Sequence, residues 1–301
     1  MNLIKSCINY TGGKYKLLNQ ILPLFPKNIN KFIDLFCGGC NVSLNVNANQ
    51  IYCNDIEKEI INLFQFIKDT EINTILDKIN DIIEYYELSN TFLNGYNFYK
   101  CDSNYGLSKY NKNNYIKLRD DFNKKNFLKS SDRSLYFFIL VTYSFNNQIR
   151  FNKKNYFNVP VGKRDFNKNS KNNLIKFASC IKEKNFNFKS SDFKKFNLND
   201  IGENDFLYLD PPYLITLASY NEQDGWLKKN EKDLLDLLDW IDSNNIRFAL
   251  SNVLESKGKT NELLIDWSKN YNVNYLNHNY SNSNYQIKKN NKTVEVLICN
   301  Y

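Results

Sequence analysis

The chain has 301 residues, of which 42% are hydrophobic and 24% charged, and a net charge of +8 at pH 7. That length can bury one large core or two ordinary ones, and no apolar run is long enough to cross a membrane. Met1-Asn2-Leu3-Ile4-Lys5 leads into a polar segment without a signal-peptide core, and the seven cysteines are an odd number scattered over a large chain, so a soluble cytoplasmic protein without a disulfide framework is expected.

In chain order, apolar periodicity predicts a helix over 15–25, a strand over 32–36, a strand over 51–53 and a helix over 56–67. From about Glu71 to Lys168 the pattern turns helical and polar, with Ile72, Ile75, Leu76, Ile79, Ile82 and Ile83 at helical spacing and 135–141 readable as helix or strand. A helix over 174–181, a strand over 206–209, a helix over 231–241 and strands over 248–250 and 294–298 follow. Strand and helix alternate at both ends of the chain, which predicts an α/β fold with a doubly wound, mostly parallel sheet. Residues 1–68 and 169–301 are expected to form it, with 69–168 a smaller inserted domain.

Ligands of such sheets bind at the carboxyl ends of the strands. Phe36-Cys37-Gly38-Gly39-Cys40 follows the first strand, where adjacent glycines let the backbone turn closely around a ligand. Asn54-Asp55 follows the second, where an acid suits the hydroxyls of a ribose. Asp210-Pro211-Pro212-Tyr213 follows the third, and Ser251-Asn252 is expected after the fourth. A carboxylate, a turn whose prolines carry no N–H, and an aromatic ring together suit chemistry on the amino group of a flat base. The simpler alternative is that Asp-Pro-Pro only ends a strand. Gly12-Gly13-Lys14 resembles the end of a phosphate loop, but Ile8 and Tyr15 break that pattern. Cys37 and Cys40 form a Cys-X-X-Cys that could be redox-active or half a zinc site, yet no second close pair exists and the only histidine, His278, reads as a surface residue.

Charge is uneven. From Phe145 to Lys195 there are thirteen Lys/Arg and three acids, a net of +10 that leaves −2 for the rest of the chain. Concentration in one stretch points to a polyanion-binding face rather than to general lysine enrichment.

These residues carry a resemblance to the α-class (D12 type) adenine-N6 DNA methyltransferases, relatives of the GATC-methylating DNA adenine methylases. Tyr10-Thr11-Gly12-Gly13-Lys14 resembles the family's Trp-X-Gly-Gly-Lys, Asp34 to Cys40 its Phe-X-Gly-X-Gly turn, and Asn54-Asp55 its ribose-binding acid. Asn146 to Asn152 and Phe157-Asn158-Val159-Pro160-Val161-Gly162 resemble its DNA-entering hairpin, Ser191-Asp192-Phe193 a cofactor-adenine motif, and Glu295 to Tyr301 the closing strand. The match spans nearly the whole chain in the family's order. Three positions depart from it: Tyr10 stands for Trp, Cys40 for the last glycine of the turn, and Asn147 for a hairpin glycine, where Asn is the side chain that best accepts a left-handed conformation.

The resemblance implies a Rossmann-like S-adenosylmethionine-dependent methyltransferase fold, with a mainly helical target-recognition domain carrying a β-hairpin. It implies that Asp210, Pro211, Pro212 and Tyr213 are catalytic, and that Tyr10, Gly12, Lys14, Asp34, Phe36, Gly38, Asp55, Asp192, Phe193 and Asp210 hold S-adenosyl-L-methionine. Asn146, Arg150, Asn152, Lys153, Lys154, Asn158, Lys163 and Arg164 would meet double-stranded DNA. No metal, membrane or obligate protein partner is implied, although a restriction endonuclease can be encoded nearby. The segment 214–226 lacks the Ser/Thr-rich pattern of the best-known GATC enzymes. Two competing readings are a DNA-binding regulator on an inactive scaffold and an RNA or protein-amide methyltransferase. Retention of Lys14, Asp55, Asp192 and Asp210 counts against the first; Asp rather than Asn before Pro-Pro-Tyr, with the Phe-Asn-Val-Pro hairpin, counts against the second.

Overall fold

A computed structural model describes residues 3–102, 104–124, 130–216, 225–277 and 293–301. His278 lies outside the described residues, as does much of 214–226. The chain divides into two compact units, one of Met1–Gly13 and Glu57–Glu183, the other of Lys14–Ile56, Lys184–Tyr220 and Asp224–Tyr301.

The elements in chain order are α1 (Leu18–Ile21), β1 (Lys31–Asp34), β2 (Gln50–Asp55), α2 (Lys58–Asp69), α3 (Ile72–Tyr85), α4 (Thr91–Phe98), α5 (Ser108–Asn123), α6 (Ser130–Tyr143) and α7 (Lys168–Glu183). There follow β3 (Phe186–Ser190), β4 (Phe206–Leu209), α8 (Lys228–Ser243), β5 (Arg247–Ser256), β6 (Lys259–Thr260), α9 (Glu262–Ser268), β7 (Asn272–Leu276) and β8 (Thr293–Cys299). The expected helix over 15–25 is broken: α1 lies between two 3-10 turns, Lys14–Leu17 and Leu22–Leu24, the second of which contains Pro23.

All the strands belong to the second unit. Their order is β3-β2-β1-β4-β5-β8-β7, with β6 paired to β5. Pairing is parallel from β3 to β5, whereas β8 runs antiparallel to β5 and β7. The chain steps from β1 outward to β2 and β3, then returns to β4 and β5 on the other side. The topological switch point is therefore the crevice between β1 and β4, where Rossmann-like sheets receive ligands.

Each strand alternates its side chains between two faces. Phe32 of β1 meets Phe206 and Tyr208 of β4 on one face, with Phe25 at ring distances of 6.0, 4.8 and 5.5 Å from them. On the other face Ile33, Leu207, Leu209, Phe248 and Leu250 join Leu234, Leu235, Leu238 and Ile241 of α8 in a continuous core. Strands buried on both faces read as short apolar runs, and β1, β4 and β5 were legible for that reason. The strands β3 (Phe-Asn-Phe-Lys-Ser) and β7 (Asn-Val-Asn-Tyr-Leu) lie at the sheet edges and mix polar with apolar residues. No sequence expectation covered them.

Ser251 and Asn252 correct one expectation. They sit inside β5, opposite Leu297 and Val296 of β8, rather than at its exit. The Ser251 hydroxyl shares a hydrogen bond with that of Tyr208 at 2.8 Å, and Asn252 donates to Glu231 at 3.3 Å, so both are buried structural groups.

The first unit is helical. Ile75, Ile79 and Ile83 bury one stripe of α3, and 135–141 proves to be helix, within α6, whose residues from Phe137 to Val141 are all buried. Phe64 of α2 and Phe177 of α7 pack at 4.8 Å. Among the described residues no helix is long and apolar enough to cross a membrane.

Candidate active site at the sheet switch point

At the exit of β4, Asp210 begins a segment without regular structure that continues through Tyr213. The 3-10 turn that begins at Lys14 brings the lysine ammonium 2.9 Å from Asp210 Oδ1 and 3.6 Å from Glu295 Oε1 of β8. Tyr213 donates its hydroxyl to the same Asp210 Oδ1 at 2.8 Å, and the Lys14 ammonium stands 4.9 Å from the centre of the Tyr213 ring. Oδ1 is thus held by two donors, while Oδ2 accepts none from the described residues. Lys14 and Glu295 are each 4% exposed, and Asp210 18%. Burial raises the Asp210 pKa above the ordinary carboxylate value, Lys14 and the Tyr213 hydroxyl pull it back, and Glu295 raises it further. Burial likewise pushes the Tyr213 phenol well above its usual range, with the Asp210 carboxylate adding to it, so this hydroxyl stays a donor.

Next to this group of four side chains, β1 ends at Asp34. Asp34 Oδ2 accepts the Ser43 hydroxyl at 2.5 Å, but its buried Oδ1 has no partner among the described residues. Burial, together with the Cys53 thiol, drives the Asp34 pKa well up. A buried carboxylate oxygen without a donor is costly unless a ligand supplies one, and a cationic amino group fits that place. The turn beyond β1 is shaped by Gly38 at φ 45° and by Cys40 at φ 57° with a fully buried side chain. A small side chain is therefore accommodated where the family pattern has glycine. Gly38 donates its N–H to Asp55 Oδ2 at 2.8 Å, so the expected ribose acid also ties the turn to β2.

Asn54 has a larger role than sequence reading gave it. Its amide donates to the carbonyls of Leu35 and Ser191, and its oxygen accepts the Ser191 N–H and hydroxyl, joining the exits of β1, β2 and β3. Asp192 then accepts from Lys194 N–H at 3.0 Å, capping the turn that buries Phe193. The rings of Phe36, Phe193 and Trp226 lie 5.4 to 5.8 Å apart and form one aromatic wall. Trp226 was not anticipated as part of it. Its indole N–H donates to buried Glu231, which also accepts from Asn252 and Asn261. Tyr10 and Gly12 belong to the other unit, where Gly13 N–H bonds the Tyr10 carbonyl and Gly12 has φ 81°.

Cys53 of β2 completes a cluster that the sequence showed only as a pair. The sulfurs of Cys37, Cys40 and Cys53 lie within 4.8 Å of one another, all buried, and burial pushes the Cys37 and Cys40 thiols well up. A third cysteine supplied by a neighbouring strand leaves no sequence-local spacing to find.

The expected DNA-contacting residues fall in the helical unit. Asn147 caps α6 by donating to the carbonyls of Val141 and Thr142, and both Asn146 (φ 53°) and Asn147 (φ 52°) are left-handed, the conformation anticipated at the substituted glycine. Bridges Ser144 to Val161 and Phe151 to Phe157 define an antiparallel hairpin. At its base a Cβ on Gly162 would stand 2.2 Å from the Ser144 carbonyl oxygen, so only glycine permits that approach. Arg150 donates Nε to Asn158 Oδ1 at 2.7 Å and an NH2 to the Asn158 carbonyl at 3.0 Å. At the tip, Asn152 Oδ1 accepts the N–H groups of Lys154 and Tyr156, leaving Lys153 and Lys154 exposed. Beyond the hairpin, Lys163 bonds the Asn104 carbonyl at 3.1 Å and Arg164 reaches the Tyr96 hydroxyl at 3.5 Å.

A family model described as D12 class N6 adenine-specific DNA methyltransferase matches residues 10–294. The type II methyltransferase M.FokI of Planomicrobium okeanokoites is 41% identical over 99% of this chain and 43% of its own length, and the modification methylase StsI of Streptococcus sanguinis is equally similar over the same shares. A DNA adenine methylase of Haemophilus influenzae is 29% identical over 68% of this chain and 63% of its own length. The chain thus spans less than half the length of the first two relatives. With 285 residues of family match laid over this switch-point site, the chain belongs to the D12 class N6 adenine-specific DNA methyltransferases.

Proposed function

We propose that the chain transfers a methyl group from S-adenosylmethionine to N6 of a flipped-out adenine in double-stranded DNA, at a specific sequence read by the hairpin unit. The observation that carries this reading is Asp210. Its Oδ1 is occupied by Lys14 and Tyr213, and Oδ2 is left as an acceptor at the exit of β4.

The adenine amino lone pair is delocalised into the ring, so N6 is a poor nucleophile. A hydrogen bond from N6–H to Asp210 Oδ2, with a second to the Pro211 carbonyl, favours a pyramidal nitrogen with its lone pair localised. The two donors on Oδ1 fix the carboxylate plane, and Lys14 beside the Tyr213 ring fixes the ring that would stack on the base. S-adenosylmethionine, when bound, supplies a methyl electrophile on a sulfonium. Asp34 Oδ1, without a partner among the described residues, suits its amino group, Asp55 its ribose, and the wall of Phe36, Phe193 and Trp226 its adenine. No covalent enzyme intermediate is required, so no cysteine need act as a nucleophile.

Because the target atom lies inside the duplex, flipping costs roughly a few kcal/mol of unstacking. Phosphate contacts from Lys153, Lys154, Lys163 and Arg164 and base-edge contacts from the hairpin offset that cost. Residues 69–168 form the core of the target-recognition domain in this reading. The match to restriction-system methylases supports a companion endonuclease. Incubating the purified chain with methyl-labelled cofactor and duplex DNA, RNA or protein tests the reading: label should enter duplex DNA alone, as N6-methyladenine. Label in RNA or protein instead, or none with any substrate, would reject it.

A further inference from the structure

Glu295 is an acid in the middle of a buried strand. It lies on β8, opposite Val253 of β5 and Leu276 of β7, and is 4% exposed. A carboxylate in such a place is retained only with a partner. Lys14 is one, at 3.6 Å, but the same ammonium stands closer to Asp210, at 2.9 Å. One cation is shared by two carboxylates, Asp210 just beyond β4 and Glu295 on β8.

We propose that Glu295 is a positioning residue for methyl transfer: by sharing Lys14 with Asp210 it gives the group of Lys14, Asp210 and Glu295 one net negative charge. This rests on the methyltransferase reading above. During transfer the N6–C bond forms and the C–S bond breaks, its electron pair staying on sulfur. One unit of positive charge moves from sulfur to N6 before the N6 proton leaves to water. A centre carrying Lys14 and Asp210 alone would be neutral and indifferent to that charge. With Glu295 it favours a cation both in the cofactor and on the nitrogen, and a preorganised charge in a buried site acts with little screening. Because Glu295 also draws on Lys14, Asp210 keeps more acceptor strength than an exclusive ion pair would leave it.

Among the described residues, the groups facing Asp210 are Lys14, Tyr213, Glu295 from β8, Tyr208 from β4 and Asp34 from β1, with Asp55 of β2 beyond Asp34. Glu295 adds negative charge and raises the Asp210 pKa, so its removal lowers that pKa. Asp210 must be ionised to accept from N6, and the acid limb of the rate profile should move with it.

The test compares wild type, Glu295→Gln and Glu295→Asp in kcat and KM for methylatable duplex across pH, and in the affinity of each for S-adenosylmethionine and S-adenosylhomocysteine. In Glu295→Gln, kcat should fall roughly tenfold with KM for DNA little changed, the acid limb should shift to lower pH, and the preference for the sulfonium over the neutral thioether should shrink. Glu295→Asp should retain most of all three. A folded Glu295→Gln protein with wild-type kcat, acid limb and ligand preference would overturn the proposal. If that variant fails to fold, the unmodified protein still decides: its sulfonium preference must fade as pH drops through the acid limb, and a pH-independent preference would overturn the inference. Absence of DNA methylation by wild type removes the functional reading and this inference together, whereas an active wild type with an unaltered variant removes only the inference.

Discussion

Asp210 is defined by what its two oxygens already do. Oδ1 receives Lys14 and Tyr213, so the side chain is fixed before any base arrives. Asp210→Ala should abolish methyl transfer while circular dichroism stays near wild type, because the residue lies beyond a strand end and Lys14 keeps Glu295 as a partner. Tyr213→Ala should lower kcat strongly. Tyr213→Phe keeps the stacking face but removes one donor from Oδ1, so it should cost about 1 kcal/mol in kcat, the ordinary worth of a hydrogen bond. A Phe variant as poor as Ala would show that the hydroxyl, rather than the ring, carries the role. Asp55→Ala should weaken S-adenosylmethionine by roughly 1–3 kcal/mol in calorimetry, partly by releasing Gly38 of the turn. Unchanged affinity would reduce Asp55 to a structural tie. At this scale the sequence singled out Asp210, Tyr213 and Asp55 because each stands at or just beyond the end of an apolar run. It did not reveal that Lys14 bridges Asp210 and Glu295, or that Cys53 joins Cys37 and Cys40. Those meetings depend on strand order, which no local spacing encodes.

At the scale of an element, the hairpin after α6 depends on contacts that place its two strands. Phe157 packs against Phe122, Phe137 and Phe151 at 5.6 to 6.4 Å, and Asn123 bonds both backbone groups of Phe157. Arg150 is half committed: Nε and one NH2 hold Asn158, while NH1 makes no hydrogen bond among the described residues. Arg150→Ala should therefore cost roughly 1–3 kcal/mol on the cognate duplex and relax discrimination at one base. Binding titrations on cognate and scrambled duplexes at two salt concentrations check this, and equal losses on both would make Arg150 a scaffold residue. Lys153 and Lys154 should behave oppositely, their removal weakening all duplexes about equally and flattening the salt dependence. Elements with strong periodicity or doubly buried strands were legible in the sequence. Polar alternation hides the edge strands β3 and β7, and β5 runs further than its apolar stretch, so Ser251 and Asn252 look like a strand exit in the sequence alone.

For the whole molecule, charge and chemistry are divided along the chain. The +10 stretch runs from the hairpin through α7 and β3 to Lys195, whereas the acids of the proposed site, Asp34 and Asp55 at the ends of β1 and β2, Asp210 just beyond β4 and Glu295 on β8, all belong to the sheet unit. Their convergence follows from a sheet wound both ways from β1. The central claim is that Asp210, at that switch point, activates the amino group of adenine in DNA. Expressing the chain in a host without DNA methylation and sequencing that genome for N6-methyladenine tests it most directly. Methylated adenines at one sequence motif with wild type, and none with a soluble Asp210→Ala protein, are the predicted result. Methylation persisting in the Asp210→Ala strain, or an unmethylated genome in cells full of folded wild-type protein, would contradict it.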